Sequence, residues 1–274
     1  MSATPDIVLS EVHETAFFAA ILRAGHFLYA DEPKIFADSY AHLLLEKTED
    51  EIKAFNARMS GQHLTTCVLR ARFAEDRLEA AHARGVNQYV VLGAGLDSYA
   101  LRKGSELGSM IVFEVDDPPF QAWKRRRIAT LGLNAPEQVR YVPCDFETMS
   151  VEKALDDQGF AKDQPSFISW LGVTQYLTRD AIRETLRWAG SQPKGSEINL
   201  TIVEPGDRQP RSAEARLIVD YTSYISIEEM TGMLVEAGFS QIEPLSRADA
   251  SEFCKDRTDG LVAPEFLRSV SAIV

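Results

Sequence analysis

From residue 12 to about residue 84 the apolar positions recur at helical spacing and nowhere alternate at period two. Ala16, Phe17, Ala20, Ile21, Ala24, Phe27 and Leu28 form one such set, and Ile35, Phe36, Tyr40, Leu43 and Leu44 form another after Pro33. At Gln88 the pattern changes, and short apolar, β-rich runs begin to alternate with helical stretches, as in a mostly parallel sheet. These runs predict strands at Tyr89–Leu92, Met110–Val115, Val139–Val142, Phe167–Leu171 and Glu197–Val203. Two more, around Ile242 and Val270, would complete the sheet. No repeat or low-complexity linker divides the chain. The expectation is a helical cap over residues 1–84 packed on an α/β core over residues 85–274, as one integrated unit.

The first core strand breaks on Gly93-Ala-Gly95 and leads into a helical pattern through Tyr99 and Leu101. Such a break lets backbone approach a ligand at the carboxyl end of the strand. Twenty-one residues after Gly95, the second strand ends in Asp116, placed to accept hydrogen bonds from ribose hydroxyls. The dinucleotide fingerprint would need a third glycine where Ser98 stands. Asp97, in the turn itself, is an anion and a poor neighbour for a pyrophosphate. It suits a ligand with a cationic end, and S-adenosylmethionine carries both a sulfonium and an ammonium. An ordinary strand–turn–helix corner would explain the glycines alone, but not the strand, the glycines, Asp97 and Asp116 together. The third strand ends in Asp145-Phe146. Asp145 could pair with an adenine amino group while Phe146 lies along the ring. It could equally cap the following turn near Thr148 or Ser150.

Several of these segments, in this order, resemble the leucine carboxyl methyltransferase family, and in particular its bacterial branch of S-adenosylmethionine-dependent O-methyltransferases. They are Leu69-Arg-Ala-Arg-Phe-Ala-Glu-Asp76, Val91-Leu-Gly-Ala-Gly-Leu-Asp97, Phe113-Glu-Val-Asp-Asp-Pro118, Asp145-Phe146 and Ser169-Trp-Leu-Gly-Val-Thr-Gln-Tyr-Leu177. The stretch from Ser226 to Phe239 is similar to the family's late helix. The resemblance implies a class I methyltransferase fold: a Rossmann-like, mostly parallel seven-stranded sheet. It implies that Arg72, with Arg70 as runner-up, holds the methionine carboxylate, since two residues apart on a helix they cannot share a face. Gly93 and Gly95 would line the methionine portion, Asp116 (or Glu114) would take the ribose, and Asp145 with Phe146 the adenine. One position departs from the family pattern. Leu171 stands where leucine carboxyl methyltransferases carry a glutamate, so the acidic contact there is missing or comes from elsewhere, with Asp97 as the candidate. That weakens the case for a protein carboxyl terminus as the substrate.

Composition excludes other classes. The net charge of −12 argues against nonspecific nucleic-acid binding, and no stretch approaches the ~20 apolar residues of a membrane span. Lys124-Arg-Arg-Arg127 is the densest basic run and is expected to be a solvated helical surface. Cys67, Cys144 and Cys254 are odd in number, widely spaced and without a C-x-x-C, which fits reduced thiols and a cytoplasmic setting; residues 1–10 lack the pattern of a secretory signal. No metal site is expected.

Methyl transfer to oxygen needs a base only when the acceptor is not already ionised. All five histidines, His13, His26, His42, His63 and His82, precede the first core strand, and this favours a carboxylate acceptor on a small molecule. No residue is assigned as catalytic. Trp170 and Tyr176 flank the end of the fourth strand, and Tyr224 precedes the late helix; all three are substrate-binding candidates, although core packing explains Trp170 as well. Arg211, or Arg208, in the polar loop after Glu204-Pro-Gly206, could hold an anionic substrate. The rival readings are a protein carboxyl-terminal methyltransferase, a nonenzymatic S-adenosylmethionine-binding regulator and, more weakly, a nicotinamide oxidoreductase.

Overall fold

The structure is a computed structural model that describes residues 11–207, 221–265 and 268–274. Its sheet holds β1 (Gln88–Leu92), β2 (Ile111–Asp116), β3 (Val139–Pro143), β4 (Ser166–Trp170), β5 (Glu197–Ile202), β6 (Gln241–Pro244) and β7 (Arg268–Ile273). Across the sheet the order is β3-β2-β1-β4-β5-β7-β6. The pairs among β1 to β5 are parallel, and β7 runs antiparallel to both β5 and β6. Each expected strand is present, with ends shifted by a residue or so.

The helices are α1 (Glu11–Tyr29), α2 (Ala41–Leu44), α3 (Glu49–Asn56), α4 (Gly61–Ala83), α5 (Tyr99–Lys103), α6 (Pro118–Thr130), α7 (Val151–Asp156), α8 (Arg179–Gly190), α9 (Ile227–Ala237) and α10 (Arg247–Cys254). Their starts follow local chemistry. Thr48 and Glu51 form a reciprocal capping box at α3, and Ser60, Ser150, Thr178 and Ser226 cap the starts of α4, α7, α8 and α9.

Strand alternation sends two sets of side chains to opposite faces of the sheet. Val90, Leu92, Phe113, Val115, Ile168 and Trp170 pack in one cluster with Leu155 of α7, Ile182 and Leu186 of α8 and Met230 of α9. Tyr89, Val91, Val112 and Phe167 pack on the other face with Leu78 and Ala81 of α4 and with Tyr99 and Ala100 of α5. The helical stretch expected as a cap therefore divides: α4 is a layer against the sheet. The shorter α1 to α3 share a third cluster with Leu96, Phe120 and Ile128, which ties them to the turn after β1 and to α6.

The polar alternation of β5 has its own cover. Glu197 is fully buried, and it accepts from Arg77 Nε of α4 at 2.5 Å and from Arg84 Nη2, at the end of that helix, at 2.6 Å. Ser271 Oγ of β7 donates to the same carboxylate at 2.5 Å.

The run Lys124–Arg127 is the solvated surface expected only at Arg125 and Arg126, which are exposed. Lys124 is buried and pairs with Glu114 at 2.7 Å, and Arg127 donates to the carbonyls of Leu43, Leu44 and Leu45. Arg125 lies over the Tyr141 ring at 5.0 Å. The run fastens α6 to β2, β3 and the cap.

His26 of α1 is fully buried, and its Nε2 accepts the Phe36 N–H at 3.3 Å, which requires an unprotonated ring nitrogen. Burial first, then the charges of Arg257 and Lys34, push its pKa down to about 4. The unfolded chain takes up a proton near pH 6.5 and the folded chain does not, so stability is lost as pH falls from about 6.5 to about 4. The loss attributable to this residue is about 3 kcal/mol. Chemical denaturation across that window should show a shallower fall for His26→Gln, which keeps an acceptor for Phe36 without a titrating ring. Identical pH slopes for wild type and variant would contradict the assignment.

Candidate active site

A cavity of about 520 Å3 opens at the carboxyl ends of β1 to β4. That volume lies in the range of small-molecule sites, roughly 300–1,000 Å3. Its floor is the β1–α5 turn. Gly93 and Gly95 have φ of +67° and +49°, a region that side chains rarely adopt. A Cβ on Gly93 would come within 2.4 Å of Val173, so the turn also needs the space. Asp116 closes the loop from β2: its Oδ2 accepts the Gly95 N–H and its Oδ1 the Asp117 N–H. Asp97 Oδ1 accepts the Tyr99 N–H at 2.8 Å and so starts α5.

Asp97, Asp116, Asp145 and Phe146 all line the cavity, as do both glycines. Asp145 also holds the turn beyond β3, accepting from Glu147 N–H at 3.0 Å and Thr148 Oγ1 at 2.9 Å. Its capping and cavity-lining positions are therefore compatible. Phe146 is half-buried against the core.

Placement separates the two arginines. Arg72 does not line the cavity: it pairs with Asp76 at 2.7 Å, donates to the Ile35 carbonyl and stacks on Phe253 at 5.3 Å. Arg70 does line it. Its guanidinium packs against the backbone of Gly172, where a Cβ would stand 2.8 Å from Nη1. Gly172, at φ +73°, is itself held by its N–H donating to Thr201 Oγ1 at 2.7 Å. Among the described residues that line the cavity the cations are Arg23, Arg70 and Arg102. Arg23 pairs with Asp38 and Arg102 with Glu75, while no hydrogen bond or ion pair joins Arg70 to a described residue. Glu114, the alternative for the ribose, is also placed elsewhere, buried on Lys124.

On the substrate side the candidates separate. Tyr176 lines the cavity, and burial followed by the neighbouring Tyr221 pushes its phenol up to about 12, so it stays protonated and can donate. Trp170 does not line it: its side chain is fully buried in the core beneath the sheet, because strand parity turns Ser169 towards the cavity and Trp170 away. Tyr224 is outside the lining, at 5.7 Å from Tyr221, which in turn lies 5.6 Å from Tyr176. Arg208 and Arg211 lie outside the described residues.

The sequence reading missed Arg23, Asp38 and Arg102 as cavity residues. Arg23 interrupts an otherwise buried run, Ala20-Ile-Leu22 and Ala24, and that was the one available signal. His26, His42, His63 and His82 do not line the cavity, and the side chain of His13 lies outside the description. The cavity thiol of Cys144 is pushed up to about 11 by burial and then by Asp145 and Asp116, which keeps it neutral. The described residues hold no cluster suited to a metal ion, and no described helix is long and apolar enough to cross a membrane.

Comparison with known proteins gives this geometry its family. The Bacillus subtilis (strain 168) protein YktD, named as an S-adenosyl-L-methionine-dependent methyltransferase, is 29% identical over 94% of this chain and 97% of its own. A protein of Mycobacteroides abscessus with the same kind of name is 24% identical over 91% of this chain and 83% of its own. Among solved structures, a methyltransferase from Thermobifida fusca YX superposes with a TM-score of 0.55 at 13% identity, covering 94% of this chain and 93% of that one. A DUF574 family protein from Streptomyces avermitilis gives 0.55 at 14% identity, covering 96% and 99%. These two likenesses concern the fold. Residues 16–190 match leucine carboxyl methyltransferase, a span that includes α1 to α8 and β1 to β4. The chain belongs to the leucine carboxyl methyltransferase family and is an S-adenosylmethionine-dependent methyltransferase.

Proposed function

We propose that the protein methylates an oxygen of a small molecule, with a carboxylate as the acceptor and S-adenosylmethionine held in the cavity between β1 and β4. The observation that carries the placement is the arrangement of charge: Arg70, which no hydrogen bond or ion pair joins to a described residue, on one wall, with Asp97, Asp116 and Asp145 along the same space. The residues fit the group. Arg70 would hold the methionine carboxylate, Asp97 the cationic end, Asp116 the ribose and Asp145 with Phe146 the adenine. Asp116 accepts the Gly95 and Asp117 N–H groups, which fixes its carboxylate at the cavity wall.

The bound cofactor supplies an electrophilic methyl on a sulfonium. The protein's part is to place an acceptor oxygen behind that methyl and to keep the site dry. The carboxylate reading is supported by what the described lining contains. No described histidine faces the space, the Cys144 thiol is held neutral, and the Tyr176 phenol is raised rather than lowered. None of these is suited to removing a proton near neutral pH. An acceptor with a pKa of about 4 needs no such removal, and the protonated Tyr176 hydroxyl can orient it.

Two outcomes follow. Arg70→Ala should raise the dissociation constant for S-adenosylhomocysteine by about tenfold to a hundredfold, the worth of a charged hydrogen-bonded pair, while Arg72→Ala changes it less than about threefold. Isothermal titration decides; equal small losses in both variants would remove Arg70 from the site. Mass spectrometry of candidate acids, phenols and peptides should show the gain of one methylene on a small carboxylic acid. Its rate should stay flat from about pH 6 to about pH 9, with no limb from a base. Methylation of phenols alone, with a rate rising through neutral pH, would refute the acceptor assignment.

A further inference from the structure

The turn after β1 is gripped by a buried charge cluster larger than ligand contact requires. Asp38, in the segment before α2, is 1% exposed. Its Oδ2 accepts from Arg23 Nε of α1 at 2.8 Å, and its Oδ1 accepts from Ser98 Oγ at 2.6 Å and from the Ala41 N–H at 3.0 Å. Arg23 Nη2 reaches on to the Leu96 carbonyl at 2.8 Å. Ser98 Oγ also accepts from Arg102 Nε at 2.9 Å, and Arg102 forks onto Glu75 of α4. Leu96 and Ser98 are the two neighbours of Asp97 in the chain, so the cluster holds Asp97 from both sides.

The charges of this cluster do not cancel. Asp38, Glu75 and Asp97 are three carboxylates, against the two guanidiniums of Arg23 and Arg102. Asp38 and Glu75 take both guanidiniums as ion pairs, and no ion pair joins Asp97 to a described residue. The uncompensated negative charge therefore falls on Asp97, which lines the cavity. Burial alone would raise the Asp38 carboxyl, but Arg23 and Arg102 outweigh it and hold the group below the usual carboxylate range. It is charged at neutral pH.

We propose that Asp38 is a positioning residue for cofactor binding. By occupying Arg23 directly and Arg102 through Ser98, it leaves the Asp97 carboxylate free for the cationic end of the cofactor. Because Arg23 belongs to α1, the same contact fastens the cap over the cofactor loop. In Asp38→Asn the shape is kept and the charge is lost. The two guanidiniums then have one carboxylate fewer, and Asp97 becomes the anion that balances them. This inference rests on the cavity being the S-adenosylmethionine site.

A double-mutant cycle on Asp38→Asn and Asp97→Asn tests it, with S-adenosylhomocysteine affinity by isothermal titration and thermal melts of each variant. Asp38→Asn should weaken binding about tenfold in the wild-type background and less than about twofold in the Asp97→Asn background. A purely structural role for Asp38 would lower the melting temperature and add its full loss in both backgrounds; additive losses of that kind overturn the proposal. So does wild-type affinity in Asp38→Asn. If that variant does not fold, Ser98→Ala, which removes the hydrogen-bonded bridge from Asp38 to Arg102 and leaves the Arg23–Asp38 pair, enters the same cycle with the same expectation. Failure of the wild-type protein to bind S-adenosylhomocysteine would bring down the cofactor reading and this one with it. Binding by wild type with additive losses would bring down this one alone.

Discussion

β1 is hydrogen-bonded on one side to β2 and on the other to β4, and the strand order reverses there. After β1 the chain builds outward through β2 and β3, then returns across β1 to lay down β4 and β5. Connections that depart in opposite directions from adjacent parallel strands cannot close over the strand ends between them. The crevice left there is the cavity, and the residues that line it are those which the ends of β1, β2, β3 and β4 deliver. A ligand site at that point is a consequence of topology. Its chemistry is then set by a few side chains: glycines in the turn, acids at the ends of β2 and β3, and an arginine from α4.

That dependence explains which features the sequence revealed. Strands buried on two faces are short apolar runs, and β1, β2 and β4 stood out on that ground, whereas the mostly exposed β6 was placed only around Ile242. The strand-end acids were legible because a strand end is also a sequence position. Facing was harder to read. Arg70 and Arg72 sit two residues apart on α4, and only the packing of that helix on the sheet and on Phe253 determines which one looks into the cavity. Trp170 was legible as a strand-end aromatic with pocket and core both open to it, because its side depends on the register of β4 between β1 and β5.

The charge pairs were least legible, since they join residues distant in the chain. Lys124 looked like part of a basic surface until β2 placed Glu114 against it. Arg23 and Asp38, 15 residues apart, carried no signal of a pair in the sequence, yet they meet beside the turn after β1. Each of these buried charges is paired, as burial demands. Arg70, half-buried in the cavity wall, has no hydrogen bond or ion pair to a described residue. The family match ends at residue 190, before β5 begins.

The central claim is that this cavity receives the methyl donor with its amino-acid end on Arg70. A crystal structure of the protein with S-adenosylhomocysteine tests it most directly. The account predicts density between β1 and β4, with the carboxylate on Arg70, ribose hydroxyls on Asp116, and adenine between Asp145 and Phe146. A ligand bound with its carboxylate on Arg72, or outside the cavity at the ends of β1 to β4, would contradict it.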